Sequence, residues 1–197
     1  MIITKGELVT DSMTFAEAQR DMRQGYLSGA LGMLTSAAIW LAAGLVALYM
    51  TPGRAMWTLF IGAAFIHPVS VLLAKLLGRS GTHAKGNPLG NLAFASTVWL
   101  ILSCVLAYGV ALYRMELFFP AMLFVIGGRY LSFATLFGMK IYWICGLALA
   151  AAGYALVQLH APAAAAAFTG SALETGFAIA ILIRVREQRG DQAPVAS

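Results

Sequence analysis

Apolar residues fill six long runs, near 26–49, 55–78, 90–113, 117–139, 141–159 and 163–183, and polar residues gather in the gaps between them. Each run is close to the ~20 residues that a helix needs to cross ~30 Å of hydrocarbon. The pattern predicts an all-α polytopic membrane protein whose transmembrane domain spans 26–183. The connections at 50–54, 114–116 and 160–162 are short, so the six transmembrane helices should pair as three antiparallel hairpins.

Ahead of the first run, Thr14-Phe15-Ala16-Glu17 fits a capping box, in which a hydroxyl and a carboxylate answer each other's backbone amides. Phe15, Ala18, Met22 and Tyr26 then recur on one helical face. This predicts a short N-terminal amphipathic helix lying on the membrane surface, within a cytoplasmic segment of residues 1–25. No apolar core precedes Tyr26, so the start does not read as a cleavable signal peptide. Residues 184–197 are polar and aperiodic, and are expected to form a disordered cytoplasmic tail.

Composition changes the picture only by naming the solvent. The chain has 197 residues, 60% hydrophobic and 11% charged, against about 25% charged in a soluble domain. Lipid is therefore the main surroundings, and the net charge of +5 is not a nucleic-acid signal. Ten of the 13 Lys and Arg residues fall on one side of the spans. Arg54 and Arg114 fall on the other, and Arg129 lies within a span. The imbalance predicts a multi-pass protein of the cell (inner) membrane with both termini in the cytoplasm. Cys104 and Cys145 lie in apolar runs nearer opposite faces and should be free, buried thiols.

Three ionisable groups stand inside spans. Counted from residues 55, 117 and 163, His67, Arg129 and Glu174 lie about 11–12 residues in, or roughly 16–18 Å deep. A charge at that depth costs a few kcal/mol at least and marks a functional site by default. The expected arrangement is a midplane polar cluster of His67, Arg129, Glu174 and Tyr130, with Arg129 and Glu174 as an ion pair. His67 precedes Pro68, which removes a helical donor and frees a carbonyl. A second candidate is the loop from Arg79 to Asn91, where glycines, Arg79, His83, Lys85, Asn87 and Asn91 could hold an anion or a lipid head group. It lacks the phosphate-loop spacing.

The chain also shows a faint repeat. Trp40, Trp99 and Trp143 sit in the first helix of each expected hairpin, and His67, Arg129 and Glu174 in the second. No metal site is expected, because His67, His83 and His160 lie at three different levels. No catalytic residues are assigned: there is no G-x-S-x-G and no intramembrane aspartate pair, so an enzyme is the weaker reading.

The segments FIHPVSVLLAKLLGRSGTHAKGNPLGNLAFAST (65–97) and FFPAMLFVIGGRYLSFATLFGMKIYW (118–143) resemble an uncharacterised family of small bacterial six-helix integral membrane proteins, a domain of unknown function. The resemblance covers roughly residues 20–180. It implies membrane location and a six-helix fold, and it brings no activity, cofactor or site residue.

From the residues, the expected function is a small transporter or channel-like protein for a small solute or ion, using the midplane cluster. The alternatives are a non-transporting membrane scaffold or sensor, and a lipid-binding or lipid-active protein using the 79–91 loop. Expected partners are membrane lipids and a small solute, ion or proton, with homo-oligomer formation left open. No cofactor and no nucleic acid is expected.

Overall fold

The computed structural model describes residues 13–190, with side chains described through 187. Seven α-helices follow one another: α1 Phe15–Gly25, α2 Ala30–Tyr49, α3 Pro52–Leu76, α4 Leu89–Tyr113, α5 Phe118–Phe137, α6 Ile141–Gln158 and α7 Ala163–Gly190. Among the described residues, six helices are long and apolar enough to cross a membrane. The last helix continues past 183 to Gly190. The run Arg184-Val185-Arg186-Glu187 holds good helix formers, and their polarity alone does not end a helix. Residues 191–197 and 1–12 lie outside the described residues.

Helix starts follow local chemistry. Thr14 and Glu17 form the capping box: Glu17 N–H donates to the Thr14 hydroxyl at 3.3 Å, and Thr14 N–H donates to the Glu17 carboxylate at 2.8 Å. Pro52 sits in the first turn of α3 behind Thr51, whose hydroxyl accepts from Arg54 N–H at 3.3 Å. Pro68 is carried inside α3, which runs unbroken from Pro52 to Leu76.

The bundle is not three equal hairpins. α2 packs on α3 and α4 on α5, but the most extensive pairings are α2 with α7 and α5 with α6. Small residues explain both. A Cβ added at Gly127 would meet the Gly146 carbonyl oxygen at 2.6 Å, and one at Gly146 would meet the Gly127 carbonyl at 2.6 Å. Farther along the same seam, Gly153 lies against the Pro120 carbonyl. Where α2 meets α7, the Phe168 ring covers Gly44, the Trp40 ring covers Gly170, and the Ser171 hydroxyl donates to the Ala37 carbonyl at 2.9 Å. In lipid, close backbone approach of this kind supplies the van der Waals contact that a hydrophobic effect cannot.

α2, α5, α6 and α7 thus form the core, with Trp40, Phe118, Phe119, Leu123 and Tyr142 fully buried. α3 and α4 flank it. No residue from 60 to 73 of α3 is fully buried, and Phe65, Leu72, Phe94 and Leu106 stand exposed. The three tryptophans of the faint repeat are not equivalent: Trp40 is 1% exposed, whereas Trp99 is 60% and Trp143 52%.

α1 does not turn its apolar stripe outward. Ala18 and Met22 are completely buried, while Phe15 is 57% exposed. The helix lies across one end of the bundle. Gln19 Nε2 donates to the Thr135 carbonyl at 2.7 Å and Arg23 Nη1 to the Phe137 carbonyl at 2.6 Å. These are last-turn carbonyls of α5, which have no partner within their own helix. Gly138 ends α5 in the left-handed region (φ 64) and leaves room for Gln19, which any Cβ there would strike.

Candidate functional site

The middle of the bundle contains one enclosed acid. Glu174 on α7 is 0% exposed. The Tyr130 hydroxyl on α5 donates to its Oε1 at 2.7 Å. Ser36 on α2 stands beside the same carboxyl, yet Oε2 has no hydrogen-bond partner among the described residues. The sequence makes this group singular. From residue 27 to residue 187 the acids are Glu116, Glu174 and Glu187, and Glu174 alone falls within a span.

Tyr130 belongs to a stack that runs toward α1. Its ring centroid lies 5.8 Å from that of Tyr142, and Tyr142 stacks on Phe137 at 5.5 Å. The Tyr142 hydroxyl donates to the Ser28 carbonyl at 2.6 Å. Ser28 is the middle of a joint in which Leu27 (φ 49), Ser28 (φ 54) and Gly29 (φ 80) all take the left-handed conformation. That conformation costs a non-glycine residue roughly 1–2 kcal/mol, so the joint between α1 and α2 is strained and Tyr142 holds it.

Arg129 does not join this cluster. Among the described residues the one ion pair links Arg114 and Glu116, which are exposed neighbours, at 2.6 Å. Arg129 turns instead toward α4, where its Nη2 donates to the Thr97 hydroxyl at a long 3.4 Å. The guanidinium lies 5.3 Å from the Phe133 ring centroid. Its Nε is buried without a partner, and so is the hydroxyl of Ser96, the residue before Thr97. The expected ion pair between Arg129 and Glu174 is therefore absent among the described residues.

His67 is not brought to Glu174 either. It is exposed on the outer side of α3, where its carbonyl accepts from the Ser70 hydroxyl at 2.8 Å. The equal depth expected of His67, Arg129 and Glu174 says nothing of the directions in which they point, and those differ.

The loop from 79 to 91 is occupied by the protein itself. Asp21 of α1 accepts from the Ala84 N–H at 2.9 Å and from Asn87 Nδ2 at 2.7 Å. Asn87 Nδ2 also donates to the Ala18 carbonyl at 3.0 Å, and Asn87 Oδ1 accepts from Leu89 N–H at 2.9 Å at the start of α4. His83 Nδ1 and the Tyr26 hydroxyl are 3.0 Å apart. The carboxylate that the loop's amides could hold is Asp21, so this part of the loop acts as a clasp on α1. Arg79 is partly buried, and Lys85 and Asn91 are exposed. Asp21 carried no signal in the sequence beyond its place on the polar side of α1.

Cys104 and Cys145 are free thiols, the first half-buried and the second buried. A shallow groove between α6 and α7, lined by Ile144, Leu173, Phe177 and Arg184, does not reach Glu174, Tyr130 or Arg129.

No curated protein and no solved structure matches the chain. A family described as a family of unknown function (DUF7010) matches residues 15–184, which takes in six of the helices whole and α7 through Arg184. The chain belongs to that family of small helical proteins, and its six apolar helices make it a multi-pass membrane protein.

Proposed function

We propose that this protein carries a small solute or ion across the membrane, with movement linked to a proton held at Glu174. The observation that carries the reading is the carboxyl itself: the only acid in the spans, fully enclosed, with one oxygen bonded to Tyr130 and the other, beside Ser36, without a hydrogen bond of good geometry among the described residues. A buried polar group that only fixed helix register would be fully satisfied, because an unmade bond costs about 1–3 kcal/mol. Register between α2 and α7 is already supplied by the Ser171 hydroxyl on the Ala37 carbonyl. An unanswered oxygen suits a group that gains and loses a proton as its surroundings open. The enclosed geometry corresponds to an occluded state.

In this reading both termini face the cytoplasm of the inner membrane, and α1 closes the cytoplasmic end. The test is transport in sealed vesicles. Purified protein in liposomes with an internal pH dye should change internal pH when a gradient of the carried solute is imposed, and Glu174→Gln should abolish the change. An equal response in both would remove the role of Glu174, and none above empty liposomes would remove transport.

One observation supports a second reading, a sensor without transport. The ring stack joins Glu174 to the strained joint at 27–29 through Tyr130 and Tyr142. A proton change at Glu174 could then reach α1 with no pathway across the bundle. Vesicles without flux, together with a pH-dependent release of α1 that Glu174→Gln removes, would favour the sensor.

A further inference from the structure

We infer that the paired edge of Arg129 is a binding site for a small planar oxyanion of the carboxylate type; Thr97, whose own hydroxyl proton goes to the Ala93 carbonyl at 3.0 Å, positions the guanidinium, and Ser96 lies next to Thr97 on α4. The site lies in the seam between α4 and α5, on a different side of α5 from Glu174.

Three observations carry it. The first is unspent donor capacity. A guanidinium grips a carboxylate through the edge formed by Nε and one Nη, with two parallel bonds. Arg114 uses that edge here, with Nε at 2.9 Å and Nη2 at 2.6 Å from Glu116. In Arg129 the same edge is almost idle: Nε has no partner, and Nη2 makes one 3.4 Å contact with Thr97. The second is Ser96, 7% exposed and adjoining Thr97, whose hydroxyl also has no partner among the described residues. Among the described residues, two of the three orphaned buried side-chain atoms therefore belong to α4 and α5, which pack on each other.

The third observation is charge. A guanidinium at mid-span needs a counter-charge. The spans hold one acid, Glu174, whose hydrogen bond is to Tyr130. A second copy of the chain would bring no other carboxylate to this depth. Glu174 acts on the guanidinium only through space, so no carboxylate of the chain fills its paired edge; a ligand there comes from outside, and a lipid phosphate lies roughly 15 Å away, at the membrane surface. The Phe133 ring beside the guanidinium leaves the idle edge as the place for a flat, small ligand.

The inference deepens the transport reading by naming the class of solute, and rests on that reading for the purpose of the site; binding itself does not require transport. It is tested on the full chain purified in detergent. Thermal unfolding is followed while formate, acetate, bicarbonate or nitrate replaces chloride at constant ionic strength. The expected result is a saturable rise in Tm with one or more planar oxyanions and a weaker one with chloride. Arg129→Lys, which keeps the charge and loses the paired edge, should weaken binding about tenfold. Thr97→Val and Ser96→Ala, which keep Arg129, should each raise the midpoint concentration. No saturable response in the wild type, equal response to chloride, or midpoints unchanged in these variants would overturn the site. Binding with no flux in vesicles would leave the site standing and remove the transport reading.

Discussion

Arg129 and Tyr130 are consecutive on α5 and serve different neighbours: Tyr130 reaches Glu174 on α7 at 2.7 Å, and Arg129 reaches Thr97 on α4 at 3.4 Å. Successive residues of a helix point about 100° apart. Once Tyr130 faces the core, Arg129 is turned to its flank. In the readings proposed above, Glu174 holds a proton and Arg129 binds an oxyanion, and a single peptide unit joins Arg129 to Tyr130.

The first prediction is energetic coupling between Tyr130 and Glu174. Tyr130→Phe removes the hydrogen bond of an enclosed carboxyl and should cost about 1–3 kcal/mol. Glu174→Gln should be destabilising too, and the double variant should lose less than the sum. Arg129→Gln combined with Glu174→Gln should show weaker coupling than the first pair, since no hydrogen bond joins those two residues. Unfolding of the purified variants in detergent checks both cycles, and additivity in the first would contradict the pairing.

Much of this was legible in the sequence, up to a definite point. Apolar length gave the six spans, because crossing hydrocarbon sets a length and little else. Helical rise gave the common depth of Arg129 and Glu174. Direction around each helix was not legible, since it depends on which faces the glycines bring together. Gly127 and Gly146 orient α5 against α6, and that sets Arg129 toward α4. The exposed placement of His67 follows from α3 lying on the flank, which its largely apolar sequence does not announce. Asp21 was hidden for another reason: its partners, Ala84 and Asn87, lie more than 60 residues away.

A glycine pair tests the packing account. Gly127→Ala places a methyl group against the Gly146 carbonyl and should cost about 1–3 kcal/mol through forced separation of the helices. Gly128→Ala meets nothing within 4 Å and should be neutral or slightly stabilising. Equal loss in both would show that the seam is not where the bundle is tight.

The clasp on α1 gives the next prediction. Asp21→Ala removes the acceptor shared by Ala84 and Asn87. Hydrogen exchange should then speed up in residues 15–25 and 81–88, with α5 and α6 unchanged through their middles. Uniform loss of protection across the bundle would mean that Asp21 supports the whole fold rather than the clasp.

α1 should also respond to acid. The Thr14 hydroxyl and amide hold the Glu17 carboxyl below the usual range. A lowered folded value means that the contribution is present above the ordinary carboxylate range and is lost as pH falls through the folded value. Exchange at Glu17 and Ala18 should therefore rise, relative to chemical exchange, on acidification below about pH 4.5. Glu17→Gln should flatten this dependence, and a dependence that survives the substitution would assign it to another group.

The central claim is that the enclosed carboxyl of Glu174 exchanges a proton. Infrared difference spectroscopy of the reconstituted protein, stepped between neutral and alkaline pH, reads this directly. The spans contain no other acid, so a carboxylic C=O band that is lost on alkalinisation, and is absent from Glu174→Gln, is the predicted result. A spectrum without such a band, or with one that persists unchanged in Glu174→Gln, would contradict the account.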